Sequence, residues 1–147
     1  MKAIVEYLKV GSIHVTRINY ARLKLSASFP ISPDILNNLT EEEFAVLELY
    51  ISRFSKLQDL LGNKIFSLFL CKLGVNVEQM TLIDKINELE KLMIIDDADT
   101  WHIMREMRNH LTHEYPDNPK IVSQYLNVMH ELTPNLFQCL ERIKIRL

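Results

Sequence analysis

A short polar segment, from Met104 to Pro119, holds the side chains of this sequence that are best suited to chemistry. A histidine with a pKa near neutrality can accept or release a proton. An arginine can bind a phosphate group and balance the negative charge that develops on it in a transition state. With the neighbouring 2′-hydroxyl group as nucleophile, such a pair can cleave RNA without a metal ion. Arg108 and His113 are therefore candidate catalytic residues.

The composition limits the kind of protein that can present this segment. The 147 residues fit one domain, 48% of them are hydrophobic, and the formal net charge of −2 does not mark a nucleic-acid-binding protein. No apolar stretch is long enough for a signal peptide or a membrane span, so we expect a soluble, cytoplasmic protein. Cys71 and Cys139 lie in largely apolar segments, each next to a leucine, and are predicted to be buried free thiols.

Hydrophobic residues recur mostly at intervals of three and four, which predicts an all-α protein. We expect a single domain over residues 1–147 with about five helices. The predicted helices cover roughly residues 2–27, 41–72, 82–93 and 100–114, and the last runs from 119 to the C-terminus. Residues 29–38, with two prolines, are predicted to be a loop.

The predicted helix ends have recognisable capping signals. Thr40 with Glu43 and Thr81 with Asp84 have the spacing of capping boxes, and Gly74 lies just beyond a helix C-terminus. Pro116 ends the fourth helix, and Asn118 followed by Pro119 begins the last one. The last helix also contains Pro134, where we expect a bend.

The fourth predicted helix separates into an apolar and a polar face at about 100° per residue. The apolar arc consists of Ile103, Met104, Met107 and Leu111, with Tyr115 at its edge. The opposite arc consists of Trp101, Arg105, Arg108, Asn109, Thr112 and His113. Asparagine, threonine, histidine and tryptophan are poor helix formers, whereas an ordinary solvated face is filled with lysine and glutamate. We therefore predict a functional face, with plain solvation as the alternative.

Arg108 and His113 are five residues apart, so they point about 140° away from each other on an ideal helix. One helix cannot easily direct both side chains at one phosphate. Two copies of the chain facing each other across a two-fold axis can, because each copy then supplies part of a shared cleft. The spacing thus predicts a homodimer with a composite site, and Trp101 would suit burial at such an interface.

Residues elsewhere in the chain could support this cleft. Arg53 and Asp59 are polar residues in the strongly apolar second helix, and they either lie on its exposed face or reach the cleft. The first predicted helix carries five basic residues and a single acid, and it forms either a solvated face or a surface for a partner or for RNA phosphates. These residues are Lys2, Lys9, Arg17, Arg22, Lys24 and Glu6.

A metal site is conceivable at four residues that share one side of the helical wheel: His102, Glu106, His110 and His113. Histidine and glutamate pairs four residues apart can chelate a metal ion. The HExxH order is missing and no cysteine joins the group, so we expect no metal.

The string from Arg108 to His113 matches the R-x4-H motif of HEPN-domain proteins, with the polar Asn109 directly after the arginine. Tyr115 extends it to R-x4-H-x-Y. In this form, and with "RFSKLQDLLG" on a preceding long helix, the chain resembles the HepT-like HEPN toxins that are paired with minimal nucleotidyltransferases. The resemblance implies an antiparallel helical bundle, a homodimer with the motif at its cleft, and metal-independent endoribonuclease activity without a cofactor.

The resemblance also assigns roles to individual residues. Arg108 and His113 would be catalytic, and Asn109 would orient them or bind phosphate. Tyr115 would be adenylylated by the partner nucleotidyltransferase, which silences the toxin; an ordinary tyrosine at the edge of the core is the alternative.

Together these features predict an RNA-cleaving toxin of a toxin–antitoxin pair. RNA-binding or cleft-supporting roles fall to Arg105, Thr112, Arg53 and Asp59. One alternative is a catalytically inactive HEPN dimer that binds a nucleotidyltransferase. Another is a helical interaction module whose polar face is only a dimer contact.

Overall fold

The protein is helical throughout the part of the chain that the structure describes. The computed structural model describes residues 2–112 and 117–147. These form α1 (Lys2–Lys24), α2 (Pro33–Asn37), α3 (Glu41–Leu60), α4 (Phe66–Lys72), α5 (Leu82–Lys91), α6 (Ala98–Thr112) and α7 (Pro119–Ile145), with a 3₁₀ turn at Ser26–Ser28 and a π-turn at Leu61–Ile65. No strand occurs in these two ranges. The prediction of an all-α helical bundle is confirmed.

The starts of three helices follow the predicted capping signals. The Thr40 hydroxyl accepts the N–H of Glu43 at 3.1 Å, and the Glu43 carboxylate accepts the N–H of Thr40 at 3.1 Å. Thr81 and Asp84 form the same reciprocal pair at the start of α5, at 3.1 and 3.0 Å. Asn118 caps α7 through its side chain. Each cap satisfies backbone N–H groups that the helix itself cannot.

Two helices end in the same hydrogen-bond arrangement, with a residue of positive φ just past the helix. After α4, the N–H of Val75 donates to the Leu70 carbonyl and the N–H of Gly74 to the Cys71 carbonyl, both at 3.0 Å. This is a Schellman motif, and Gly74 has φ 85° as that motif requires. The glycine predicted beyond this helix is thus in the position where it is most useful.

The end of α5 repeats the motif without a glycine. The N–H of Ile94 donates to the Leu89 carbonyl at 2.9 Å and the N–H of Met93 to the Glu90 carbonyl at 3.0 Å. Met93 takes the left-handed conformation, with φ 63°, although it carries a side chain. A β-carbon is unfavourable in this region, so this helix end is strained relative to that of α4.

The predicted helix over residues 41–72 is one continuous helical run in which α3, the π-turn and α4 follow each other. The buried positions around the π-turn lie in two rows with strict intervals of four: Leu57, Leu61, Ile65 and Phe69, and Gln58, Gly62, Phe66 and Leu70. Side chains four apart on an α-helix drift by about 40° at each step. The wider π-turn absorbs part of this drift, so both rows stay directed at the core.

The bundle is organised around the long α3 helix. α1 packs along α3, and α6 lies against both α3 and α7, while α7 also contacts α1 and α2. This arrangement places α6, which carries the predicted motif, directly beside α3. No helix in the described ranges is long and apolar enough to cross a membrane.

Three local predictions are wrong. Residues 29–38 are not entirely loop, because Pro33–Asn37 forms α2, with the Ser32 hydroxyl accepting the N–H of Ile35 at 3.1 Å. The motif helix begins at Ala98, two residues earlier than Thr100. Cys139 is a buried free thiol as predicted, but Cys71 is exposed.

Candidate functional site

The face of α6 that points into the bundle differs from the predicted apolar arc. Trp101 and Leu111 are 2% and 3% exposed, and the Arg108 side chain in the same row is only 12% exposed. Ile103, predicted in the core, is 43% exposed. The prediction of Trp101 on the polar face is wrong, since its ring packs on Phe66 with centroids 4.9 Å apart. The sequence pattern failed because a charged residue occupies a core-facing position.

Arg108 can occupy that position because α3 supplies polar partners for it. Its Nη1 lies 2.8 Å from Oδ1 of Asp59 and donates to the Ser55 hydroxyl at 3.4 Å. The Asp59 side chain is 45% exposed, so the ion pair lies where the core meets solvent. A guanidinium group held by two partners has a defined orientation before any ligand arrives. Asp59 therefore reaches Arg108, as the cleft hypothesis requires.

Arg53 contacts α1 through its side chain. Its Nη1 is 3.1 Å from Nδ1 of His14 on α1, and His14 is 8% exposed. Burial lowers the pKa of His14, and the positive charges of Arg53 and Lys56 lower it further. Neutral His14 accepts a hydrogen bond from Arg53, which joins α1 to α3. Among the described residues Arg53 and Arg108 have different hydrogen-bond partners, and the cleft role of Arg53 stays a prediction.

The remaining predicted residues lie on the outer side of α6 or beyond its described end. Arg105, Asn109 and Thr112 are exposed, and the Thr112 hydroxyl donates to the Arg108 carbonyl at 2.8 Å. His113 and Tyr115 lie outside the described residues, so their roles stay predictions.

Of the four candidate metal ligands, Glu106 and His110 lie close to each other, and His113 lies outside the described residues. Nε2 of His110 is 3.8 Å from the Glu106 carboxylate, and the His110 ring stacks on Tyr125 with centroids 4.6 Å apart. Over residues 2–112 and 117–147, no group of three or more histidine, cysteine, aspartate or glutamate side chains is placed to hold a metal ion.

A small cavity adjoins Arg108 on the side of the π-turn. Its volume is about 30 Å³, and its lining includes Gln58, Asp59, Gly62, Trp101, Arg105 and Arg108. Four buried side-chain atoms of this lining have no hydrogen-bond partner among the described residues: Nε2 and Oε1 of Gln58, Nε1 of Trp101 and Nε of Arg108. Buried polar atoms are rarely left unpaired in proteins, so this cluster is unusual.

A larger, mainly apolar groove runs along α3 to the described end of α6. Its volume is about 430 Å³, and its lining includes Phe44, Leu47, Ile51, Ser55, Leu111 and Thr112. Ser55 is also a partner of Arg108, so the groove and the ion pair are continuous.

A second polar cluster, which no sequence pattern predicts, joins α1, α3 and α7. Nη1 of Arg22 donates to the Tyr50 hydroxyl at 2.7 Å and to the His130 carbonyl at 2.8 Å. Nδ1 of His130 is 3.2 Å from Arg22 and 3.0 Å from the Tyr50 hydroxyl, and Thr133 lies 2.9 Å from that hydroxyl. Because Arg22 and His130 lie 108 positions apart in the chain, no local spacing signals the cluster.

The electrostatics of this cluster keep His130 neutral. Burial lowers its pKa from 6.5 to about 4, and the charge of Arg22 acts in the same direction. Arg22 can only donate, so Nδ1 accepts and the ring proton resides on Nε2. Burial raises the pKa of Tyr50, which keeps its hydroxyl protonated as well. Arg22, one of the basic residues predicted on an outer face, is therefore only partly exposed and is hydrogen-bonded to α3 and α7.

No protein-family model, curated protein or solved structure matches this chain. The function is therefore argued from the geometry of the site and from the motif.

Proposed function

We propose that this chain is a metal-independent endoribonuclease of the HEPN type, acting as the toxin of a toxin–antitoxin pair. The observation that supports this best is the fixed orientation of Arg108. Its Nη1 is held by Asp59 and Ser55 in the last described turns of α6, five residues before His113. A catalytic arginine gains from such preorganisation, because little reorientation is then needed in the transition state.

The proposed reaction is a transesterification within the RNA strand. The 2′-oxygen attacks the adjacent phosphorus while the bond from phosphorus to the 5′-oxygen breaks, leaving a 2′,3′-cyclic phosphate and a 5′-hydroxyl end. One proton leaves the 2′-hydroxyl group and one is delivered to the departing 5′-oxygen. His113 would act as the general base or acid. Arg108 would hold the phosphate and stabilise its added charge, and Asn109 would assist it.

The reactive pair would be assembled in a homodimer. Arg108 is bound by Asp59 and Ser55 of α3, and the spacing of five residues predicts that His113 of the same chain points elsewhere. A second copy related by a two-fold axis would bring its own His113 to Arg108. Arg105 and Thr112, exposed near this end of α6, would contact the RNA strand.

The test is cleavage of labelled RNA by the purified protein in EDTA. We expect cleavage by the wild type and by the matched controls His102→Ala and Arg146→Ala, and a loss of at least a hundredfold in His113→Ala and Arg108→Ala. Arg108→Lys keeps a charge without the planar fork and guards against misfolding of the alanine variant. Equal cleavage by all variants would reveal a contaminating nuclease and would remove these residues from the mechanism.

A second candidate is a catalytically inactive dimer that binds a nucleotidyltransferase. The Asp59 carboxylate favours it, because a negative charge 2.8 Å from Arg108 offsets the attraction of that arginine for phosphate. An inert wild type on a broad RNA pool would favour this candidate if the protein carries no modification. Extra mass at Tyr115 in an inert sample would instead indicate a silenced enzyme.

A further inference from the structure

The cavity beside Arg108 has the character of a binding site. Gln58 and Trp101 are each only 2% exposed, yet their polar atoms have no partner among the described residues. Gln58, Trp101 and Arg108, which carries a fourth unpaired atom at Nε, all line the same cavity. Leaving a buried donor or acceptor unpaired is unfavourable, so several such groups in one place are expected to be satisfied by a bound group.

The backbone around the cavity is also unusual. The π-turn at Leu61–Ile65 includes Gly62, which lies under the Trp101 ring. A β-carbon at Gly62 would approach Cζ2 of Trp101 to 3.4 Å. π-turns occur often at functional sites. Here the turn and the glycine lie beside the indole ring of Trp101, whose N–H group is buried and unpaired among the described residues.

The hydrogen-bonding pattern of the lining defines the ligand. Trp101 Nε1 and Arg108 Nε can only donate, whereas the Gln58 amide offers both N–H donors and a carbonyl acceptor. A hydroxyl group can pair with most of this set, since it accepts from two of the donors and donates to the Gln58 carbonyl. The cavity, at about 30 Å³, is large enough for an atom the size of a water molecule and too small for a phosphate or a base.

The charged residues of the lining indicate what kind of molecule carries the hydroxyl group. Arg105 and Arg108 lie at its lining with a single carboxylate, that of Asp59, so the local charge is net positive. A hydroxyl group on a negatively charged backbone fits this arrangement. We infer that the cavity is a ribose subsite, which receives the 2′-hydroxyl of a nucleotide next to the cleavage position. This inference rests on the proposed function, and it adds that the site distinguishes RNA from DNA.

The test compares binding of a short single-stranded RNA, the DNA of the same sequence and the 2′-O-methyl RNA. Fluorescence anisotropy is measured in a His113→Ala background, which prevents cleavage. We expect the protein to bind RNA about tenfold more tightly than either other strand, because neither can place a hydrogen-bonding hydroxyl group in the cavity.

The decisive variant is Gln58→Met, which fills a similar volume without hydrogen-bonding atoms. It should bind all three strands with the affinity that the parent shows for DNA. Its melting temperature should equal or exceed that of the parent, since an unpaired buried amide is removed. Gln138→Met, the same change at an exposed position of α7, should keep the preference for RNA. Trp101→Phe keeps an aromatic ring but removes the indole N–H, so it should weaken the preference for RNA. This variant replaces Gln58→Met in the test if Gln58→Met does not fold.

The outcomes separate this inference from the proposed function. If the parent prefers RNA and Gln58→Met keeps that preference, the cavity holds only water and the ribose subsite is wrong, while the nuclease proposal stands. If the parent has no affinity for RNA, the proposed function and the subsite are both wrong.

Discussion

Asp59 has two opposite effects on Arg108, the candidate catalytic arginine. Asp59 makes it possible for a guanidinium group to lie in the core-facing row of α6. The same carboxylate would repel an incoming phosphate. The balance between positioning and repulsion can be measured, because asparagine has the shape of aspartate without its charge.

Asp59→Asn should therefore separate binding from chemistry. Removing one negative charge next to Arg108 should strengthen RNA binding severalfold at low salt, and loss of the ion pair should lower kcat by about tenfold because Arg108 is less firmly oriented. The free energy of unfolding should fall by no more than about 1 kcal/mol, since the pair is partly solvated. Kd, kcat and chemical denaturation are measured beside Asp34→Asn, an exposed aspartate of α2. A fall in stability with Kd and kcat unchanged would make Asp59 purely structural.

His130 makes the stability of the fold depend on pH. The histidine has a pKa of about 4 in the folded protein and an ordinary value near 6.5 when unfolded, so the unfolded chain binds more protons between these values. Stability should be fully present above about pH 6.5 and should decrease as the pH falls towards 4. Buried His14, whose pKa is also lowered, acts in the same direction.

The corresponding experiment is urea denaturation of the wild type and His130→Gln between pH 4 and pH 7. Glutamine can still accept a hydrogen bond but does not titrate. The free energy of unfolding of the variant should therefore fall by about 1 kcal/mol less than that of the wild type over this interval, after allowance for solvent screening. Parallel curves would mean that His130 is not the group responsible.

At the level of helices, α4 and α5 provide a matched pair of C-terminal motifs. Gly74 and Met93 occupy equivalent positions with positive φ, and Met93 is 71% exposed, so its side chain adds little packing. Met93→Gly should stabilise the protein by about 0.5–1 kcal/mol. Gly74→Ala should destabilise it by about 1 kcal/mol through the backbone alone, since a β-carbon there would meet nothing within 4 Å.

Thermal unfolding of the two single variants and the double variant tests this pair. The two effects should be nearly additive, because each involves only its own helix end. A destabilised Met93→Gly protein would show that the flexibility of glycine in the unfolded chain outweighs the relief of strain.

The sequence predicted helices far better than it predicted which side of a helix is buried. Thr40, Thr81 and Gly74 mark helix ends through local chemistry, and local chemistry is visible in sequence. The burial of Trp101 and Arg108 depends on Phe66 and Asp59, which lie on another helix. A helical wheel that assigns arginine to the exposed face also assigns Trp101 to it, and so identifies the wrong face of α6 as buried. The polar cluster of Arg22, Tyr50, His130 and Thr133 was not predicted for the same reason, since these residues come together only in the folded bundle.

For the whole molecule, a composite site predicts complementation between inactive variants. In a mixed dimer of Arg108→Ala and His113→Ala subunits, one of the two clefts would combine an intact arginine with an intact histidine. Unfolding the two proteins together and refolding them as an equal mixture should restore roughly a quarter of wild-type cleavage, because half the dimers are mixed and each has one working cleft.

The control for this experiment is the same mixture without unfolding, measured before subunits exchange. It should remain inactive. If the refolded mixture is also inactive although mass spectrometry detects mixed dimers, Arg108 and His113 do not act across the two-fold axis.

The π-turn has a consequence for how relatives of this chain could be sorted. A π-turn amounts to one extra residue inserted into an α-helix, and here it coincides with hydrophobic intervals of four from Leu57 to Leu70. A relative without the insertion would show the usual alternation of threes and fours, and its counterpart of Gln58 would be rotated by about 100° relative to the downstream half of the helix. The interval pattern in a bare sequence would then separate lineages that have the cavity beside Arg108 from lineages that do not.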